Sequence, residues 1–207
     1  NSLNTPFTED FEGVSGGGNS INPSLPDCWS YWRNGTYYGY TYGFLGPNGS
    51  YHWRFYNFSN TDTVALISPL VNGLSNGDKM IKFKNKSYYS STSYQGIAME
   101  VGTTPSAADI RSGTAIDTVY GDYGQNYVNE FQVFLDTASG YNGSDGYIYM
   151  RPLFQSSKWY AYNFVDDIKV EDIPSCLPPW NLAASNITSS GATIDWTTIQ
   201  GTCFKLE

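Results

Sequence analysis

Between residues 30 and 172 the chain breaks into short runs of alternating residues, each closed by a turn. That rhythm excludes most folds. In "DKMIKFKNKSYY", Lys82, Lys84 and Lys86 face one way and Ile81, Phe83 and Asn85 the other. A period of two is the signature of a strand. "YVNEFQVFLD" repeats it, with Val128, Glu130, Gln132 and Phe134 opposite Asn129, Phe131, Val133 and Leu135. "CWSYW", "TYYGYTYGF", "YHWRFYNF", "TDTVALISPLV", "QGIAMEVGT", "DGYIYMRPLF" and "KWYAYNFVDDIKV" continue the series, and "FTEDFEG" is expected to be its first strand. The one helix-like piece, "TPSAADIRSG", is long enough only for a turn of helix in a loop. About eleven short strands without long helices predict an all-β fold, an antiparallel jelly-roll β-sandwich.

Composition then narrows the partners. Among 207 residues, 11 are basic and 19 acidic, a net charge of −8. Nucleic-acid binding rests on Lys and Arg meeting phosphate, and anionic membrane surfaces ask for the same residues. No stretch approaches the ~20 apolar residues of a membrane span, so no membrane insertion is expected. A cation, a neutral polymer or a protein remains. The wealth of Tyr, Ser, Gly and Asn, with few charges, points to an exported protein.

"EDIPSCLPPW" is a Pro-rich break. It divides a jelly-roll domain, residues 1–173, from a segment, residues 174–207. In the latter, "NLAASNITSSGATIDWTT" holds two alternating strands joined by a turn, with Trp196 shortly after Ile194. These resemble the opening strands of a fibronectin type III domain, which needs about 90 residues and seven strands. The segment is therefore expected to be the truncated start of such a module, in a longer multidomain chain.

Taken in order, "FTEDFEG", "LPDCWSYW", "ALISPLV", "NFVDDIKV" and "CLPPWNLAASNITSSGATIDW" resemble the cleaved-adhesin, or choice-of-anchor J, group of MAM-like jelly-roll domains. The likeness runs the length of the chain. Such domains sit in large secreted bacterial proteins that use type IX secretion, often beside fibronectin type III repeats. The resemblance implies an adhesin-like or carbohydrate-binding module, secreted or at the cell surface, with a bound structural calcium.

The carboxylates give that calcium a physical basis. Asp166 and Asp167 stand side by side in a strand, where Asp is disfavoured and like charges repel. In a jelly roll the first and last strands commonly lie together, which would bring Asp10 and Glu12 towards them. Asp10 and Glu12 are expected on one side of their strand, with Phe7 and Phe11 pointing into the core. Four carboxylates meeting without a Lys or Arg call for a hard cation, and calcium takes six to eight oxygens. By resemblance, Glu12 and one Asp of the pair are the firmest ligands. Alternation sends Asp166 and Asp167 to opposite faces unless a bulge intervenes. The competing reading leaves all four as solvated surface charges.

The aromatic runs suggest what the surface binds. Tyr37, Tyr38, Tyr40, Trp53, Tyr88, Tyr89 and Trp159 are the candidates. Sugar rings have flat apolar faces rimmed by hydroxyls, and Tyr or Trp offers an apolar body with a polar tip. A row of them interleaved with Asn, Ser and Gly suits an extended neutral glycan. The same mixture serves adaptable contact with a protein, such as one on a host or cell surface. Against this, sandwiches use aromatics to fill cores, so half should point inward. Doublets such as Tyr37–Tyr38 and Tyr88–Tyr89 cannot both be buried in two layers.

Catalysis is not expected. His52 is the single histidine and has no partner motif, and no phosphate loop or dinucleotide fingerprint occurs. Rival roles are a structural spacer, a secretion-associated domain without a ligand, or an ancillary domain of a secreted hydrolase. The three cysteines allow Cys176 to pair with Cys203, or Cys28 with Cys176, or all three to stay reduced.

Overall fold

The computed structural model describes residues 2–14, 24–35, 38–43, 47, 51–57, 63–88, 97–121, 127–143, 146–154, 161–175 and 180–197. The chain divides into two compact units, Asn1–Asp172 and Ile173–Glu207.

The first unit is built of strands β1 (Ser2–Leu3), β2 (Phe7–Glu9), β3 (Ser30–Asn34), β4 (Tyr38–Tyr42), β5 (His52–Asn57), β6 (Thr63–Ile67), β7 (Leu70–Val71), β8 (Asp78–Tyr88), β9 (Ala98–Thr104), β10 (Thr114–Val119), β11 (Asn129–Asp136), β12 (Tyr147–Leu153) and β13 (Ala161–Asp172). Among the described residues a single 3-10 turn, Leu74–Asn76, interrupts them, and the "TPSAADIRSG" stretch forms turns rather than helix. Among the described residues, no helix is long and apolar enough to cross a membrane.

Two sheets make the sandwich. One runs β10-β9-β12-β6-β3, and the other runs β11-β8-β13-β5-β4 with β2 added beside β13. The core lies between them. Val64, Leu66, Met99, Val101, Ile148 and Met150 come from the first sheet; Trp53, Phe55, Ile81, Phe83, Val133, Leu135, Val165, Ile168 and Val170 come from the second. Alternation within each strand sends these side chains inward and their neighbours outward. The far face of the five-stranded sheet is closed by a smaller cluster of Ala65, Ile67, Ile110 and Tyr149. The fold is all-β, a jelly-roll sandwich, as the alternation predicts.

The period-two reading of β8 holds residue by residue: Ile81, Phe83 and Asn85 are buried, while Lys82, Lys84 and Lys86 lie on the other face. Asn85 is the polar residue of this buried trio. Its Nδ2 donates to Asn163 Oδ1 at 2.7 Å and to the Phe164 carbonyl at 3.1 Å, so a buried amide is satisfied by its equally buried neighbour on β13.

"FTEDFEG" departs from expectation. Strand β2 stops at Glu9. Asp10 Oδ1 accepts the Glu12 amide at 3.1 Å and Glu9 Oε1 accepts the Phe11 amide at 2.8 Å. Side chains competing for the backbone turn the chain out of the ladder. Phe11 adopts φ 58 and is wholly buried against Trp29, while Phe7 packs against the core from its rim.

In the second unit, β14 (Trp180–Ser185) pairs with β15 (Thr193–Thr197) as an antiparallel ribbon, with a register shift between Trp180 and Ala183.

Candidate functional site

Strand β13 organises both candidate sites. One edge pairs with β8 along nearly its whole length. The other is shared: Ala161 to Val165 pair with β5, and Ile168 to Val170 pair with β2. The change of partner falls at Asp166–Asp167. There the β13–β8 register also shifts, between Asp166 and Lys169, and Asp167 takes φ 49. A bulge therefore falls at the two carboxylates, so strict alternation does not govern where Asp167 points.

Their environments diverge. Asp167 Oδ2 lies 2.8 Å from Lys84 Nζ, so a lysine does stand beside the acid pair, contrary to the picture of carboxylates meeting without one. Asp166 is 1% exposed. Its Oδ1 accepts the Asp167 amide at 2.8 Å, and its Oδ2 is buried with no hydrogen-bond donor among the described residues. Burial pushes the Asp166 carboxyl up to about 7, and the nearby charges of Asp167 and Glu12 push in the same direction.

Glu12 reaches this place from the turn after β2. Its Oε1 accepts the Tyr51 amide at 2.8 Å, just before β5 begins. The turn thus spans the gap between β2 and β5 that Asp166 faces. Asp10 is exposed, and its Oδ1 is engaged in its own turn. Of the four predicted ligands, Glu12 and Asp166 are brought within electrostatic reach; Asp167 is answered by Lys84. Among the described residues, no group of three or more His, Cys, Asp or Glu forms a metal-ligating cluster.

The second candidate is the outer face of the six-stranded sheet. Register places Tyr40, Arg54, Phe164 and Lys86 in one row across β4, β5, β13 and β8. The next row holds Tyr56, Tyr162 and Tyr88, beside Tyr38 on β4. Tyr56 and Tyr162 stack at 4.7 Å between centroids with an interplanar angle of 10°, and Tyr88 lies 5.9 Å from Tyr162. The Arg54 guanidinium sits 3.8 Å from the Tyr42 ring, 4.2 Å from Tyr40 and 5.1 Å from Tyr162. Cation–π contacts of this kind hold the rings and the cation as one uneven plate, in which Tyr40 meets Tyr42 edge to face at 90° and Tyr88 meets Tyr162 at 49°. Tyr40, Tyr42, Arg54, Lys86, Tyr88 and Tyr162 are half-buried, so the plate keeps an open side.

The sequence-predicted aromatics separate accordingly. Tyr40 and Tyr88 lie on this face. Trp53 does not: it is wholly buried in the core, its indole packed against Gly39, because odd-numbered residues of β5 point inward. Tyr38 is placed on β4, while Tyr37, Tyr89 and Trp159 lie outside the described residues. Tyr42, Tyr56 and Tyr162 lie in the aromatic runs without being among the candidates, and Arg54 and Lys86 are not read as part of a site. Their signal is the alternation itself, once one member of each strand is known to face out. Cys28 is exposed with a free thiol, and Cys176 and Cys203 lie outside the described residues.

No family model matches the chain, and no curated protein matches it. Solved structures do. The K1 cleaved adhesin domain of Lys-gingipain from Porphyromonas gingivalis W83 superimposes with a TM-score of 0.55 at 18% identity, over 81% of this chain and 98% of that one. The K2 cleaved adhesin domain of Lys-gingipain gives 0.54 at 16% identity, over 80% and 97%. A xylan-binding domain of carbohydrate-binding module family 22 gives 0.50 at 13% identity, over 83% and 96%. The chain has the fold of the cleaved adhesin domains, a fold it shares with a carbohydrate-binding module.

Proposed function

We propose that the Asn1–Asp172 unit is a non-catalytic binding domain of a secreted or cell-surface protein, with the outer face of the six-stranded sheet as its ligand surface and a glycan as its first candidate ligand. The observation that carries this reading is the half-open plate of Tyr40, Tyr42, Arg54, Tyr88 and Tyr162. Aromatic rings on a rigid sheet offer stacking surface for sugar rings at low entropic cost, since their rotamers are already fixed. The fold neighbours named for adhesion and for xylan binding support the class. His52 supports the absence of catalysis, because it is wholly buried between Tyr42 and Phe164 and offers nothing to a substrate.

Calcium belongs to this proposal as a structural element. The orphaned Oδ2 of Asp166, sealed beside the turn that carries Glu12, fits a cation better than a solvated surface charge. Asp166 and Glu12 would hold the ion, with backbone carbonyls or water completing its oxygens. When bound, it neutralises buried negative charge and ties the turn after β2 to β13. The ribbon β14–β15 is proposed as the opening strands of a fibronectin type III-like module.

Affinity electrophoresis on immobilised polysaccharides tests the ligand surface. Retardation on at least one glycan, lost in a Tyr162→Ala variant that still unfolds cooperatively, is the expected result. No retardation on any glycan, or retardation that Tyr162→Ala leaves intact, removes this face as the site.

A further inference from the structure

A sheet edge is a row of unpaired amides and carbonyls, and folded proteins ordinarily blunt it. Of the strands that end the two large sheets, β10, β4 and β3 are blunted. Strand β10 carries a register shift between Ala115 and Asp117. On β4 the Thr41 amide donates to the Ser24 carbonyl at 3.4 Å, and Thr41 Oγ1 donates to it at 2.7 Å. Strand β3 is five residues long and ends on exposed Arg33 and Asn34. Strand β11 has none of these devices. Its eight residues keep an unbroken register with β8, from Asn129 against Asn85 to Asp136 against Asp78, and hold no Pro, Gly, Lys or Arg.

The open part of this edge is its first half. At the far end a turn takes up the outward backbone: the Phe134 carbonyl accepts Ser139 Oγ at 2.6 Å, the Asp136 amide donates to that oxygen at 3.2 Å, and the Asp136 carbonyl accepts the Tyr141 amide at 3.0 Å. Even-numbered residues of β11 therefore aim their backbone groups away from β8. The amides and carbonyls of Glu130 and Gln132 fall on that same side, with no partner among the described residues. Next to them stand Val128, 39% exposed, and Tyr127, 58% exposed. With Tyr120 at the end of β10, these are three of the four large apolar side chains that the Asn1–Asp172 unit exposes among its described residues. An unblunted edge flanked by exposed apolar side chains is a surface for another protein strand.

We propose that β11 pairs antiparallel with β11 of a second copy of this chain, about a two-fold axis at Phe131. The strand is self-complementary in that register. On the outer face Val128 stands opposite Phe134, and Glu130 opposite Gln132; on the inner face Tyr127 stands opposite Leu135, and Phe131 opposite its own copy. The Glu130 carboxylate accepts from the Gln132 side-chain amide, once on each side of the axis. Charge disfavours the neighbouring registers. An axis at Glu130 sets two carboxylates against each other, and an axis at Gln132 sets Val128 against Asp136. A two-fold contact of this kind uses the same patch on both copies and closes at two. It leaves the outer faces of both six-stranded sheets looking the same way, so two ligand surfaces would engage one polymer together. The pairing itself does not depend on what those surfaces bind.

Sedimentation velocity of the whole 207-residue chain, from micromolar to near-millimolar concentration, tests this. The expected result is a reversible equilibrium between monomer and dimer. Val128→Lys should weaken the dimer by about tenfold or more, because it sets an unpaired cation against Phe134. Gln132→Lys should tighten it and Gln132→Glu should weaken it, since residue 132 stands opposite Glu130 of the second copy. The opposite signs of the two Gln132 variants separate strand pairing from a general loss of folding. A chain that stays monomeric throughout overturns the proposal. So does a dimer that survives Val128→Lys, or a pair of Gln132 variants that shift the equilibrium in the same direction. Assembly beyond the dimer overturns it too, because a two-fold contact leaves no edge of this kind open.

Discussion

Asp167 and Lys84 close an ion pair at 2.8 Å across β13 and β8, and Asp166, one residue earlier, is sealed with its Oδ2 unpartnered among the described residues. The bulge between them makes this asymmetry possible, turning one carboxylate to a lysine and the other into the gap between β2 and β5. A buried carboxylate without a donor is tolerated either as the neutral acid or as a metal ligand. The two states respond oppositely to calcium and to pH.

With calcium at a hundred times its dissociation constant, selective binding to the folded state adds about 2.7 kcal/mol. In a unit of this size that is a rise of roughly 5 to 10 °C in thermal midpoint over the same protein in EGTA. Asp166→Ala and Glu12→Ala should each abolish the rise. Asp10→Ala should leave most of it, because Asp10 is spent on its local turn. Differential scanning calorimetry in matched buffers decides this. An identical midpoint in calcium and EGTA would end the structural-calcium reading.

In EGTA the pH dependence follows from Asp166. Its carboxyl is raised in the folded state to about 7, so the native protein holds a proton that the unfolded chain has released. Stability from this group is fully present below the unfolded carboxylate value and is lost as pH rises through about 7. The midpoint should therefore fall between pH 5 and pH 8, by an amount on the order of a few kcal/mol in stability. Asp109, Glu171 and Asp172 are shifted the other way by their cationic partners and destabilise only in more acidic solution, outside this window. Asp166→Asn, which stays neutral, should flatten the curve between pH 5 and 8. A wild-type midpoint that is level over this range contradicts the buried neutral acid.

Much of this fold is legible in the order of the residues alone. The lysine face of β8 can be read directly, since period two fixes which residues travel together; Phe11 is buried as expected, but from a turn with φ 58 and not from a continuing strand. What alternation cannot fix is which of the two sets faces the core. Trp53 and Tyr56 illustrate this: both are large aromatics on β5, and only the register against β13 and β4 sends Trp53 inward and Tyr56 to the outer face. Lys84 is invisible as the partner of Asp167, because residues 83 positions apart meet only through strand pairing. Asp10 reads as a ligand only if its strand continues, and its own side chain ends that strand.

Gly39 marks a close approach that a side chain would spoil. A Cβ there would stand 2.4 Å from Trp53 Cζ2, and Trp53 is wholly buried and cannot retreat. Gly39→Ala should cost about 1–3 kcal/mol through overpacking. Urea unfolding should show a lower midpoint with an unchanged slope. A substitution that leaves the midpoint in place would mean that β4 yields at this edge of the sheet.

The Asn85–Asn163 pair gives the sharpest test of the core. Each amide satisfies the other, with Asn163 Nδ2 also donating to Ser87 Oγ at 3.2 Å. Asn85→Leu strands Asn163 in an apolar interior and should cost about 1–3 kcal/mol, the desolvation of a buried group left without a partner. Asn163→Leu should cost a similar amount for the same reason. The double variant removes both polar groups, so its loss should be smaller than the sum of the two, with a coupling of roughly 1 kcal/mol or more in a double-mutant cycle. Simple additivity would show that the two amides do not depend on one another. The buried pair would then need another reason for its place between Phe83 and Val165.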